Sequence, residues 1–272
     1  MNALRNLKST AGRVRGILQH NRLGVRFAHQ FSCTFPPDAP PDETTWLEKY
    51  FDDHESGPGI WKWRHYFPIY ERHLSKFRGR EVHIVEIGIF SGGSIGMWKS
   101  YFGDQAHIYG VDIAPACREY EGDRVRIFIG DQSDPNFWRD FTAEVPEIDI
   151  VIDDGGHRAF QQIATLESLL PALRPGGVYV CEDIHGEFNN FSDYLFGLTR
   201  NLNELVPKVV KQPGREPSPL QRTIDSIHFY PFVAVIERRS APLDRMYSVQ
   251  KGTEWQPSEF WQETEMARQH RH

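Results

Sequence analysis

Two short clusters, Asp153-Asp154-Gly155-Gly156-His157 and Glu182-Asp183-Ile184-His185, hold the side chains of this 272-residue chain best suited to chemistry. Each offers a pair of carboxylates followed closely by a histidine. Each also ends an apolar run, Ile150-Val151-Ile152 in the first case and Gly177-Val178-Tyr179-Val180-Cys181 in the second. Continuous apolar runs of this length read as buried strands of a parallel sheet. Ligands of open α/β sheets sit beyond the carboxyl ends of such strands. If the two strands are neighbours, Asp153, Asp154, Glu182 and Asp183 converge on one crevice. Clustered carboxylates repel one another unless a cation or a proton compensates them, so a divalent metal site is the simplest inference.

The elements that must position these acids alternate regularly from residue 82. Strands are predicted over 82–87, 107–111, 125–129, 148–153 and 178–182, with helices over 94–101, 135–143, 160–173 and near 191–205. Such alternation implies a parallel sheet with helices on both faces. Ile224–Tyr230 and Phe232–Arg238, separated by Pro231, suggest an antiparallel pair that closes the sheet. The proline-rich, basic stretch 206–223 reads as a long loop over the strand ends. Upstream, Thr44 or Thr45 is placed to cap a helix over 46–52, and 66–74 has the spacing of an amphipathic helix.

A second candidate site follows the first strand. In Val85-Glu86-Ile87-Gly88-Ile89-Phe90-Ser91-Gly92-Gly93-Ser94, the glycines let the backbone approach a ligand, with a helix amino terminus behind it. A dinucleotide fingerprint would need glycine where Phe90 stands, which disfavours nicotinamide redox chemistry. The spacing acid-x-Gly-x-x-x-Gly instead resembles that of S-adenosylmethionine-dependent methyltransferases. Asp112, at the end of the second strand, would then accept the ribose hydroxyls. Gly130-Asp131-Gln132 ends the third strand, where such enzymes hold the adenine edge. The candidate cofactor residues are therefore Glu86, Gly88, Ser91, Gly92, Ser94, Asp112, Asp131 and Gln132, with Asp153 in a supporting place.

Taken together, VEIGIFSGGS (85–94), GDQSD (130–134), IVIDDGGH (150–157) and GGVYVCEDIH (176–185) resemble the metal-dependent sugar O-methyltransferases of antibiotic biosynthesis. These include macrolide deoxysugar enzymes of the mycinamicin and macrocin type and relatives called cephalosporin hydroxylases. The likeness covers about residues 65–238. It implies an α/β, Rossmann-like class I methyltransferase fold: a seven-stranded, mostly parallel sheet with an antiparallel last strand. It also implies S-adenosyl-L-methionine and Mg²⁺ as cofactors, Asp154, Glu182 and Asp183 as metal ligands, and His157 as general base. Gly156 departs from the serine common in the family, and Ile184-His185-Gly186 from its usual segment there. Assembly into a homo-oligomer is implied by the same likeness.

The expected chemistry is methyl transfer to a sugar hydroxyl of a glycosylated natural product, a nucleotide sugar or a glycan. Coordination to Mg²⁺ lowers the pKa of the hydroxyl, and His157 removes its proton. Capping of the following helix is the structural alternative for His157. His185 is open between supporting the ligands, touching substrate and lying exposed. Trp61, Trp63, Tyr66 and Tyr70 either line an acceptor pocket or, as aromatics more often do, pack the amino-terminal segment onto the core. A catechol-type O-methyltransferase and a non-catalytic cofactor-binding partner of an oxygenase-like system are the competing functions.

Bulk properties set the outer bounds. Charged residues at 25% and aromatics at 13% are those of a folded globular chain, and a net charge of −6 carries no basic footprint for nucleic acid. Three scattered cysteines give neither a disulfide framework nor a zinc motif, which suits a reducing, cytoplasmic setting. The expected layout is a basic extension over 1–33, a linker and helical segment over 34–64, the catalytic domain over 65–240 and a tail over 241–272. The first thirty residues hold Arg5, Lys8, Arg13, Arg15, Arg22 and Arg26 but no acid, and 3–19 has the spacing of a basic amphipathic helix. Such a helix suits weak contact with an anionic membrane surface or partner, or simply a solvated terminus.

Overall fold

A computed structural model describes residues 2–34, 43–145, 147–186, 189–204, 216–247, 249 and 251–253. Residues 1–43 and 44–272 form two separate units. In the first, helix α1 runs Asn2–Gln30, well beyond the predicted 3–19. No helix among the described residues is long and apolar enough to cross a membrane.

The second unit is built on a seven-stranded sheet of order β3-β2-β1-β4-β5-β7-β6, with β1 Val82–Ile87, β2 Ala106–Asp112, β3 Val125–Ile129, β4 Ile148–Asp153, β5 Leu173–Cys181, β6 Ile224–Tyr230 and β7 Val233–Arg238. Strands β1 to β5 pair in parallel, and β7 runs antiparallel to both β5 and β6. The β-branched runs of β1 and β4 are buried on both faces, as parallel strands between helical layers must be. One face carries Ile84, Ile150, Ile152, Val178 and Val180 with helices α2 (Trp46–Asp52), α3 (Phe67–Leu74) and α4 (Gly93–Phe102). The other carries Val85, Ile87, Val151 and Tyr179 with α5 (Pro135–Glu144), α6 (Ala159–Leu169) and α7 (Phe191–Leu202). Thr45 closes a full capping box with Glu48 at the start of α2, so the segment before β1 is anchored against the sheet.

Helix α6 ends at Leu169, four residues short of the predicted 173. Pro171 has no N–H to donate, so the helical ladder stops at the Leu170 N–H, which donates to Leu166. Leu173 is already paired with Ile148, and the next β4–β5 pair is Ile150 with Val178, so Arg174-Pro175-Gly176-Gly177 is an insertion in the strand. The regular part of β5 runs 178–181, one residue short of the predicted 182. Helix α7 stops at Leu202, before the expected 205. Within the stretch read as loop, Ser218 and Gln221 cap a short helix α8, Pro219–Thr223. Residues 205–215 of that stretch, and 254–272 of the tail, lie outside the described residues.

Candidate functional site

The chain winds outward from β1 through β2 to β3, then returns to the other side of β1 with β4 and β5. The point where that order reverses is where open α/β sheets place ligands. A cavity of about 680 Å³ opens there, lined by Gly88–Ser91, Ser94, Asp112, Asp131 and Gln132 on one side and Asp154–His157, Glu182, Asp183 and His185 on the other. Its size falls within the range of small-molecule sites.

Gly88 shows why the turn needs glycine. Its φ is 82°, and a Cβ there would collide with the backbone carbonyl of Asp154. Its N–H donates to Val111 and that of Asp154 donates to Ile87, which ties the turn to both neighbouring strands. Asp112 accepts from the backbone N–H of Phe90 at 3.1 Å and of Ala114 at 2.9 Å, so its carboxylate is fixed at the cavity wall. Asp131 is held below the usual carboxylate range by the backbone N–H of Ser133. Gln132 bridges the wall: its amide donates to Asp153 and Thr165 and accepts from the N–H of Gly156 at 2.5 Å.

Three of the sequence-predicted residues do not line the cavity. Glu86 is fully buried beneath the turn, where Trp98 Nε1 donates to it at 3.0 Å and burial pushes its carboxyl up. A Cβ on Gly92 would meet the Tyr120 ring, so that glycine serves packing. Asp153 is buried between Tyr179, whose hydroxyl donates at 2.9 Å, and Gln132. Burial pushes its carboxyl to about 6. These residues shape the site from behind.

Strand alternation explains the division among the acids. Even positions of β4 and β5 face the α3 side, so Asp154 and Glu182 follow Ile150, Ile152, Val178 and Val180, while Asp153 turns to the other face. Asp183 breaks the alternation with φ of 51° and brings its carboxylate back beside them. The segment before β1 then supplies donors to all three. Lys62 Nζ bridges Asp154 Oδ2 at 2.6 Å and Glu182 Oε2 at 2.8 Å, and the lysine side chain is only 3% exposed. Tyr70 donates to Glu182 Oε1 at 2.7 Å. Tyr66 and Trp63 Nε1 donate to Asp183 Oδ1 at 2.5 and 3.1 Å. Burial opposes the charge on Lys62, but Glu182 and then Asp154 and Glu86 hold it above its usual value. Burial, together with Asp154, pushes the Glu182 carboxyl up.

Asp154 Oδ1 and Asp183 Oδ2 make none of these bonds. Both face His157 Nε2, at 3.9 and 3.7 Å. Asp154, Asp183 and His157 thus form a group whose ligand atoms could meet a single ion. The three acids outnumber the one ammonium, and hard oxygens suit a divalent cation such as Mg²⁺. The donor set fits the group. Of the three predicted ligands, Glu182 is the one whose oxygens are already taken.

His157 is 41% exposed at the cavity edge with φ of 52°. Of five non-glycine residues with positive φ among those described, Phe90, His157 and Asp183 line this cavity. Sparsely populated backbone geometry of this kind clusters at ligand sites. His185 Nε2 lies 3.7 Å from Asp183 Oδ1, and its ring packs on Phe232. Tyr66 and Tyr70 are buried, as core packing predicts, yet their hydroxyls hold the acids. Trp61, 87% exposed, and Trp63, 48% exposed, line the cavity without joining the core. Sequence reasoning missed Lys62. Its signal was a single cation between two tryptophans, too common to single out without the contact across 92 residues.

With this geometry in hand, comparison with known proteins gives a consistent result. A family model described as a methyltransferase domain matches residues 85–184. The chain is 36% identical over 201 residues to the 8-demethyl-8-alpha-L-rhamnosyl tetracenomycin-C 2'-O-methyltransferase of Streptomyces olivaceus, covering 68% of this chain and 53% of that protein. It is 34% identical to the demethylmacrocin O-methyltransferase of Streptomyces fradiae, covering 65% of this chain and 50% of that one. Among solved structures it resembles the MycE methyltransferase of the mycinamycin biosynthetic pathway, in complex with Mg, SAH and mycinamycin VI. The TM-score is 0.59 at 28% identity, over 71% of this chain and 52% of that one. The chain spans about half the length of these relatives. The likeness to sugar O-methyltransferases and the class I methyltransferase fold read from the sequence both hold.

Proposed function

We propose that this chain, which carries a methyltransferase domain over residues 85–184, transfers a methyl group from S-adenosylmethionine to a sugar hydroxyl of a small glycosylated molecule, with Mg²⁺. The observation that carries the reading is the pairing, within one cavity, of a glycine turn and Asp112 with Asp154, Asp183 and His157.

When bound, the sulfonium supplies an electrophilic methyl and the divalent ion lowers the pKa of a hydroxyl. The chain's own residues do the rest. Asp112, fixed by two backbone N–H groups, keeps acceptor capacity on each oxygen for a ribose hydroxyl. Gly88 keeps the turn low enough for close approach of the donor. Asp154 and Asp183 would hold the ion through Oδ1 and Oδ2, with Glu182 as the third ligand. His157 Nε2, facing both oxygens, would take the hydroxyl proton as the methyl passes from sulfur to the hydroxyl oxygen and the C–S bond breaks, leaving S-adenosylhomocysteine. The exposed faces of Trp61 and Trp63 suit the apolar face of a sugar ring.

Homo-oligomeric assembly, a cytoplasmic setting and weak contact of the basic α1 with an anionic surface complete the proposal.

Asp112→Ala should weaken binding of S-adenosylhomocysteine by about ten- to a hundredfold, because it removes two acceptors and strands two backbone donors. Calorimetric titration checks this, and unchanged affinity would take Asp112 out of the cofactor site. The reaction itself is tested by methyl transfer to a panel of glycosides and catechols, with and without EDTA. A methylated glycoside formed only without chelator is the expected result. Full activity in EDTA would remove the metal from the mechanism, and methylation of catechols alone would replace the acceptor class.

A further inference from the structure

The acidic trio already contains a cation, and it belongs to the protein. Lys62 lies with its ammonium between Asp154 Oδ2 and Glu182 Oε2 and is almost wholly excluded from solvent. Which carboxylate oxygens remain for an external ion is therefore a matter of counting. Glu182 Oε1 is directed at Tyr70, and Asp183 Oδ1 at Tyr66 and Trp63. Asp154 Oδ1 and Asp183 Oδ2 accept from none of these donors, while each Glu182 oxygen already accepts one, from Tyr70 and from Lys62. An ion bound by all three acids meets the Lys62 ammonium where it stands between Asp154 and Glu182.

The means of exchange are present. Lys62 lies in the irregular stretch between α2 and the turn at Arg64, where no sheet or helix ladder fixes the backbone. Its charge sits on four rotatable carbons, and an ammonium is a compact point charge with no bidentate grip on a carboxylate. The cavity wall beside it, from Gly59 to Trp63, opens toward the glycine turn.

We propose that Lys62 is a tethered counterion: it occupies the cation position between Asp154 and Glu182 when the metal is absent and is displaced when the metal binds. This rests on the metal-dependent reading above and deepens it. The lysine holds the clustered acids in place before loading, where mutual repulsion would otherwise push them apart. It also makes the divalent ion compete for its seat, so metal affinity is set partly by a residue that is no ligand.

The test compares the purified 272-residue chain with Lys62→Met and Lys62→Arg, with Mn²⁺ and Mg²⁺ themselves as probes. Calorimetry and Mn²⁺ electron paramagnetic resonance give affinity, and thermal unfolding in EDTA or saturating Mg²⁺ gives stability. Removing a buried unit charge a few ångströms from the ion should tighten Mn²⁺ binding of Lys62→Met by about tenfold or more. That variant should melt lower than the parent in EDTA and recover in Mg²⁺. Lys62→Arg, whose planar fork grips carboxylates in two places, should bind Mn²⁺ more weakly than the parent. Equal or weaker binding by Lys62→Met overturns the inference, since lysine would then organise the ligands rather than compete. Should Lys62→Met fail to fold, tighter binding by Lys62→Arg overturns it instead. If the parent binds no Mn²⁺, the metal-dependent reading falls and this inference with it. If the parent binds and Lys62→Met is no tighter, the inference alone falls.

Discussion

Asp154→Asn is expected to lower the methyl-transfer rate on the order of 10²- to 10³-fold while leaving the affinity for S-adenosylhomocysteine unchanged. The substitution keeps the side-chain volume and one oxygen. What it removes is the charge that serves Lys62 through Oδ2 and leaves Oδ1 facing the cavity beside His157. The loss should be confined to acceptor activation, because Asp154 touches the donor side only through its backbone, against Gly88. Single-turnover rates against Mg²⁺ concentration check this. A near-parental rate, or an equal loss of cofactor binding, would contradict the division of the cavity into a donor half and an acceptor half. Asp183→Asn should act in the same direction. Its remaining oxygen can still accept from Tyr66 and Trp63, so its stability cost should be smaller than that of Asp154→Asn, which takes a counter-charge from the buried Lys62.

His157→Asn is expected to cost on the order of 10²- to 10⁴-fold in rate, the usual contribution of a positioned general base. Asparagine is the informative replacement because it tolerates the left-handed backbone that His157 adopts, so the fold is not put at risk. Its amide cannot accept a proton, so the lost rate should not return at any pH. A variant with a near-parental rate would assign the base elsewhere, with His185, across Asp183, an alternative. Metal affinity should change little if the ring is a base. A large loss of Mn²⁺ binding would instead make His157 a ligand, which its place in the group with Asp154 and Asp183 also permits.

Much of this site was legible before any coordinates. The apolar runs 82–87 and 148–153 became strands at those bounds because burial on both faces leaves a parallel strand little choice of sequence, and 125–129 did so as an edge strand with Arg126 exposed. The acids at 153–154 and 182–183 fell on neighbouring strand ends because β4 and β5 pair directly. The boundaries that differed did so for local reasons. Pro171 ended α6 early, and a proline-glycine insertion put the start of β5 upstream of its regular part. Side-chain periodicity carries no signal for either. Three candidates in the glycine turn and strand ends, Glu86, Gly92 and Asp153, proved to support the cavity from within the protein, since a motif fixes spacing but not which way each member faces.

The residues that complete the acidic trio were not legible, and the cause is distance along the chain. Lys62 meets Asp154 across 92 residues and Glu182 across 120, and Tyr66, Tyr70 and Trp63 reach over similar separations. Sequence by itself determined the sheet, the order of the motifs along it and the chemical character of the crevice, because these follow from short-range periodicity and the strand-end rule. Only the tertiary structure decided how the charges there are balanced. Coulombic compensation depends on a few ångströms between groups that the chain brings together only on folding, and here that compensation is a buried lysine held between two acids.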